Sequence, residues 1–139
     1  MSTNAEAADA LQDALFNKLK TALAGVATVC DHVTQGTTGD YVEIGDISTS
    51  DWGTKDSEGT EHLIELHVWS SAHRGRKNVR AIQRIIHDTL HEQESGLTVT
   101  DNNVVVLRLD DSPSDVERMD DGVTYHGISR YKALLSFTG

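Results

Sequence analysis

Two histidines, His87 and His91, stand four residues apart, a spacing that places two side chains on one face of an α-helix. Two imidazoles so arranged can bind a divalent transition metal, and Asp88 lies beside them. The pattern lacks the H-E-x-x-H form of a zinc helix and supplies no evident third ligand. A solvated helix face is the favoured interpretation. A small metal-binding module or enzyme using His87 and His91 stays open as the alternative.

The other reactive side chains have no partners at a useful spacing. Cys30, the single cysteine, precedes His32 by two residues, but this spacing on a strand does not build a protected thiol–imidazole cleft. A small buried hydrophobic side chain is the better interpretation of Cys30. The sequence holds no phosphate-binding G-x-x-x-x-G-K-[ST] pattern and no G-x-S-x-G pattern. The sequence therefore indicates a protein that is not an enzyme and needs no cofactor or metal.

Charge is unevenly distributed along the chain. The 139 residues include 22 Asp and Glu but only 12 Lys and Arg, a formal net charge of -10, which argues against nucleic acid as a tightly held ligand. Basic residues cluster between residues 74 and 84, whereas six acids lie between Asp110 and Asp121 without the alternating spacing of a calcium loop. Such a split could build a self-complementary assembly, but a solvated surface is the favoured interpretation of the charges alone.

The elements that position these residues follow from apolar periodicity. Four-residue repeats predict amphipathic helices over residues 4–24 and 75–92, and β-rich or alternating segments predict six strands. The predicted strands are residues 26–33, 41–50, 62–69, 97–100, 104–109 and 123–137. The order α-β-β-β-α-β-β-β predicts an α+β fold: a mainly antiparallel sheet of about five to six strands with both helices packed against it.

The chain is expected to be one domain over residues 1–139. Pro113 is its only proline, no linker divides it, and no apolar run reaches the roughly 18 residues of a membrane span. Between the second and third strands, residues 50–60 are too polar and glycine-marked for a sheet interior. We expect a projecting hairpin arm there. Its candidate contact residues are Trp52, Gly53, Thr54 and Lys55.

The order of several short segments resembles a known family. After the first helix come VCDHVTQG (29–36), YVEIG (41–45), DWGTK (51–55), HVWS (67–70), RGRK (74–77) and DGVTYHG (121–127). In this order and spacing they resemble the tail-completion, or tail-terminator, family of long-tailed bacteriophages and phage-derived gene transfer agents. The resemblance covers the chain from about Ala5 to Phe137.

The resemblance implies a structural virion assembly protein without a cofactor or a membrane. It would form a ring, usually of six copies, that terminates the tail tube and joins the tail to the head connector. The implied partners are further copies of itself, the major tail tube protein, and the head-side connector or stopper protein. DNA would pass through the channel without specific binding, past walls lined by some of the acids. The expected location is the head–tail junction of a virion or phage-like particle, after synthesis in the bacterial host cytoplasm.

Within such a ring, the charged clusters and the arm have expected roles that their own residues suggest. Subunits would pair head to tail, with arginines of the second helix facing acids of the next copy. The arm would contact the tail or the connector through Trp52 and Lys55. The expected interface residues are Arg76, Arg80, Arg84, Asp110, Asp111, Asp115 and Glu117.

Overall fold

Two helices lie against one mixed sheet in the computed structural model of the chain. The structure describes residues 4–30, 40–51, 59–70, 75–100, 102–111, 117–118 and 124–137. The helices are α1 (Asn4–Ala22) and α2 (Gly75–Leu90). Among these residues the strands are β1 (Thr28–Cys30), β2 (Tyr41–Asp51), β3 (Gly59–Ser70), β4 (Asn102–Asp111), β5 (Glu117–Arg118) and β6 (Tyr125–Phe137).

The strands follow the order β1-β2-β3-β6-β4, and β5 pairs with the start of β6. All described pairs are antiparallel except β1 with β2. The longest ladder joins β3 to β6, from Gly59 opposite Ser136 to Ser70 opposite Tyr125. The prediction of an α+β fold with a mainly antiparallel sheet and two packed helices is confirmed.

One face of this sheet and one stripe of each helix form the core. On β3, Ile64, Leu66 and Val68 are at most 1% exposed, as the alternation of the sequence predicts. Both helices bury their apolar positions against this face, which stabilises the fold by about 1.5 to 3 kcal/mol for each large side chain removed from water. The fully buried helix residues are Ala7, Leu11, Leu15 and Leu19 on α1 and Val79, Ile86 and Leu90 on α2, and Leu23 directly after α1 is also fully buried.

A glycine sets how closely α2 approaches the sheet. A Cβ atom on Gly127 would lie 2.8 Å from Cγ1 of Val79 and 2.6 Å from Nε2 of Gln83, so a larger residue here would displace the helix. Nε2 of Gln83 and Oγ of Ser129 on β6 are both buried, and neither has a hydrogen-bond partner within the described ranges. The contact between α2 and β6 is therefore close but incompletely hydrogen-bonded.

The prediction of a strand at residues 97–100 is wrong. The structure has a 3₁₀ turn at Glu94–Gly96, followed by a single β-bridge between Val99 and Asn102. Leu97 and Val99 are buried, so the apolar residues that suggested a strand fill the core from a turn instead. Four residues are too few for periodicity to distinguish these cases. The short extra strand is β5, within the acidic segment.

The helices end slightly earlier than their patterns predict. Helix α1 stops at Ala22 and α2 at Leu90, and each end is followed by a residue with positive φ. Gly25 has φ of 79° and Glu92 has φ of 56°. The left-handed conformation turns the chain away from a helix axis and favours glycine, so Glu92 is the unusual case.

The predicted arm lies mostly outside the described residues. Strands β2 and β3 pair as far as Asp51 opposite Thr60, which brings the two ends of the segment together. Residues 52–58, which include the candidate contact residues Trp52, Gly53, Thr54 and Lys55, are not described.

Candidate functional site

The polar face of α2 presents an arginine stripe, defined here as Arg76, Arg80 and Arg84. All three side chains are exposed, since Val79, Ile82 and Ile86 hold the opposite face of the helix in the core. The guanidinium of Arg76 lies over the ring of Tyr125 at 5.6 Å. Within the part of the chain that is described, Arg80 and Arg84 have no ion-pair partner. The described part of the subunit therefore leaves these two charges uncompensated.

The acids expected to face this stripe lie on two different strands. Asp110 is exposed on β4, and Asp111, at the end of β4, is opposite Arg130 in the ladder with β6. Glu117 lies on β5 opposite His126, while Asp115 falls outside the described residues. The described ion pairs of the subunit do not join Asp110 to the arginine stripe, and the side chains of Asp111, Asp115 and Glu117 lie outside those described. Pairing of the acids with the stripe stays a prediction.

The rings of His87 and His91 lie 4.5 Å apart at the end of α2, as their spacing predicts. Nδ1 of His91 accepts the backbone N–H of Leu109 at 3.0 Å, which occupies the lone pair that a metal would need there. Nδ1 of His87 lies 3.4 Å from the hydroxyl of Tyr131. Over the described ranges, no three His, Cys, Asp or Glu side chains are placed to hold a metal. The pair instead ties α2 to β4 and β6.

A polar cluster that the sequence analysis missed lies on the sheet face opposite the helices. Nδ1 of His67 on β3 is 2.8 Å from Nε2 of His126 on β6, and Nε2 of His67 is 2.7 Å from Oε1 of Glu65. The two imidazole planes differ by 7°, as expected when two nearly coplanar rings meet nitrogen to nitrogen. Trp69 stacks on His126 with ring centroids 3.9 Å apart.

The contacts of this cluster join two strands through polar side chains. The carboxylate of Glu65 can only accept, so His67 donates through Nε2–H. Between the two imidazoles one nitrogen donates and the other accepts, and the tautomers of the rings decide which. Arg130 places a cation beside Glu65, with Nε 3.4 Å from Oε2. The cluster therefore ties β3 to β6 on the face away from the helices.

The sequence predicts which face of β3 carries His67, but not which residue contacts it. Alternation along β3 correctly separates His62 from His67, so these two cannot pair. The partner His126 is 59 residues away from His67, and its identity depends on the register that sets Trp69 opposite His126. A single sequence does not contain that register.

His62 occupies the core face of the same strand. It is fully buried, with Nδ1 3.0 Å from the hydroxyl of Thr49 and Nε2 2.8 Å from that of Thr60. Burial lowers the pKa of His62 from 6.5 to about 4, because no carboxylate compensates the loss of water around the charged ring. Burial, assisted by Asp88, also raises the pKa of the Tyr131 hydroxyl. Both groups therefore stay neutral near pH 7.

Comparisons with known proteins distinguish a structural assembly protein from a metal-binding module or enzyme. The family model described as "Tail completion protein gp17" matches residues 7–136. The chain belongs to this tail completion family. A chain from the solved structure "Virion of native gene transfer agent (GTA) particle" shares the fold, with a TM-score of 0.77 and 21% sequence identity. That match covers 94% of this chain and 97% of the other. Among curated proteins, none matches the sequence.

Membership of the tail completion family makes this chain a structural protein of phage-type tails, the class that the sequence resemblance indicated. A structural protein acts through its contacts, so its charged surfaces are the candidate functional features. None of the described helices is long and apolar enough to cross a membrane.

Proposed function

We propose that the chain forms a closed ring of six copies that terminates the tail tube and joins the tail to the head connector. The observation that carries this proposal is the family match over residues 7–136, which covers every described helix and strand except the first three residues of α1 and the last residue of β6. The partners in this role are further copies of the chain, the major tail tube protein and the head-side connector or stopper protein. Residues 1–139 act as one domain, at the head–tail junction of a virion or phage-like particle.

Net charge supports the proposed channel. A chain of formal charge -10 repels the phosphates of DNA, so DNA slides past such a wall rather than binding to it. In this proposal some of the acids line the channel, and Asp and Glu outnumber Lys and Arg there. A ring with a basic channel wall would contradict this part of the proposal.

The contact between copies is heterologous and is guided by charge. The arginine stripe supports it because Arg80 and Arg84 are exposed and have no ion-pair partner among the described residues. The acids of the next copy lie among Asp110, Asp111, Asp115 and Glu117. Exposed ion pairs contribute only about 0 to 1 kcal/mol each, so charge selects the surface and register while apolar contacts supply most of the affinity.

The arm at residues 50–60 docks on a neighbouring ring or on the connector. The pairing of Asp51 with Thr60 supports this, because it holds the two ends of the arm side by side at the end of a long ladder. Trp52, Gly53, Thr54 and Lys55 supply the contact. Deleting residues 55–58 should leave the fold intact and weaken joining of tails to heads.

Size measurement and electron microscopy test the ring, alone and mixed with purified tail tubes. The Arg80→Glu/Arg84→Glu variant should remain folded but assemble poorly, and added salt should weaken rings of the unmodified chain, since salt screens such contacts. The Lys18→Glu/Lys20→Glu variant on α1 makes the same change in net charge away from the stripe and should assemble normally. Normal rings from the Arg80/Arg84 variant would refute the proposed interface, and tubes that stay uncapped would refute tail termination.

A further inference from the structure

Strand β4 is last in the order of the described strands and is paired, among them, with β6 alone. Leu107, Arg108 and Leu109 lie opposite Ala133, Lys132 and Tyr131. Alternate residues of such a strand point their backbone N–H and C=O groups away from the sheet. An edge of this kind is a template on which another strand can pair.

In this subunit the turn that follows α2 occupies the edge. We call residues 91–94 the edge turn. Nδ1 of His91 accepts the N–H of Leu109 at 3.0 Å, and Oε1 of Glu94 accepts the N–H of Leu107 at 3.4 Å. The N–H of Glu92 donates to the carbonyl of Leu107 at 2.8 Å. Three outward backbone groups of β4 are thus bonded to the edge turn.

The backbone of the edge turn shows that its position is specifically held. Glu92 has φ of 56°, a left-handed conformation that residues with a side chain rarely adopt. The same residue donates its N–H to the carbonyl of Leu107 at 2.8 Å. An uncommon backbone conformation of this kind persists only where the surrounding structure holds it.

The strand behind the turn has the composition of a self-pairing segment. Residues 104–107 read Val-Val-Val-Leu, a run with high β-propensity and no charge, and Val105 is 47% exposed. Two copies of one strand can pair antiparallel across a two-fold axis, and that contact closes on itself as a dimer. A ring requires a heterologous contact, so such pairing would compete with ring growth.

We propose that the edge turn blocks the β4 edge against β4 of a second copy. His91 and Glu94 are the blocking side chains, each used as a hydrogen-bond acceptor in place of a neighbouring strand's carbonyl. The role goes beyond ring formation, because it concerns a surface that the subunit keeps closed.

The test compares two double variants in the Arg80→Glu/Arg84→Glu background, so that failure of the ring proposal does not affect the result. The His91→Ala/Glu94→Ala variant removes both acceptors. The Asp88→Ala/Gln93→Ala variant is the control, since Asp88 lies shortly before the edge turn and Gln93 within it, and both side chains are exposed. Amide hydrogen exchange at Leu107 and Leu109 and molecular mass against concentration are the measurements.

We expect exchange at both amides to rise at least tenfold in dilute His91→Ala/Glu94→Ala, and dimers to appear on concentration. The control should show neither change. A folded blocking variant with unchanged exchange, or one that remains monomeric at every concentration, would overturn the proposal. If this variant does not fold, Glu94→Gln and Glu94→Ala decide: the amide oxygen of Gln can still accept from Leu107, so only the Ala variant should dimerise. Equal dimerisation of the Glu94→Gln and Glu94→Ala variants would also overturn the proposal.

Discussion

Strand β3 carries a histidine on each of its two faces, and the two sit in opposite environments. His62 faces the helices, is fully buried and has only threonine hydroxyls for partners. His67 faces away from the helices, has 19% of its side chain exposed, and bonds to a carboxylate and to a second histidine. The comparison shows that the face of the sheet, rather than the residue type, decides which partners an imidazole has and how much water reaches it.

The two faces of the sheet should differ most in how much stability is lost when a leucine of β3 is replaced by alanine. Leu66 is 0% exposed on the core face, whereas Leu63 is 40% exposed on the other. Leu66→Ala should lower the free energy of unfolding by about 2 to 5 kcal/mol, because it leaves a cavity as well as losing apolar burial. Leu63→Ala is the matched control and should lose less than about 1 kcal/mol. Urea unfolding measures both, and similar losses would show that the second face is also core.

A smaller effect is expected from acid, through His62. Its pKa is about 4 in the folded chain and about 6.5 in the unfolded chain, so the unfolded state binds the proton first as pH falls. The contribution of neutral His62 to the free energy of unfolding is complete above pH 6.5. It falls by about 1.4 kcal/mol per pH unit down to pH 4, about 3 kcal/mol in all.

The His62→Gln variant isolates this contribution, since glutamine can still donate to one threonine and accept from the other but does not titrate in this range. Its unfolding free energy, measured from pH 7 to pH 4, should fall less steeply than that of the unmodified chain. Parallel pH profiles for the two proteins would show that His62 takes up its proton while folded.

The smallest loss of stability is expected on the sheet face that points away from the helices. His126→Phe keeps a ring to stack on Trp69 but loses the hydrogen bond to His67, and should lose about 0.5 to 1.5 kcal/mol. His126→Ala loses the stack as well and should cost about 0.5 to 1.5 kcal/mol more. Thermal unfolding of both variants measures the difference. Equal losses would mean that the stack on Trp69 contributes nothing.

Local patterns were sufficient for the elements that depend on local burial. Leu11, Leu15 and Leu19 of α1 repeat every four residues, and Ile64, Leu66 and Val68 alternate along β3. Both elements could therefore be predicted from the sequence alone. Residues 97–100 were too few for their pattern to distinguish a strand from a turn. Strand β5 consists of two polar residues and has no periodicity from which to predict it.

The site was less predictable, because its contacts join distant segments. Exposure of the arginine stripe followed from helical spacing. The bonds between His67 and His126 and between His91 and Leu109 depend on how strands and helices are laid beside one another. His87 and His91 were correctly placed on one helix face, but that face contacts β4 and β6 rather than solvent alone.

The incompletely bonded contact beneath α2 has a consequence for local unfolding. A buried polar group without a partner costs about 1 to 3 kcal/mol, and both Gln83 and Ser129 bear this cost only while α2 lies on β6. Detaching the helix exposes these groups to water and recovers that free energy, which lowers the cost of opening relative to a fully satisfied contact. Helix α2 carries the arginine stripe and ends at the edge turn. The segment that bears the proposed interface is therefore also the one whose excursions from the folded state are made easier.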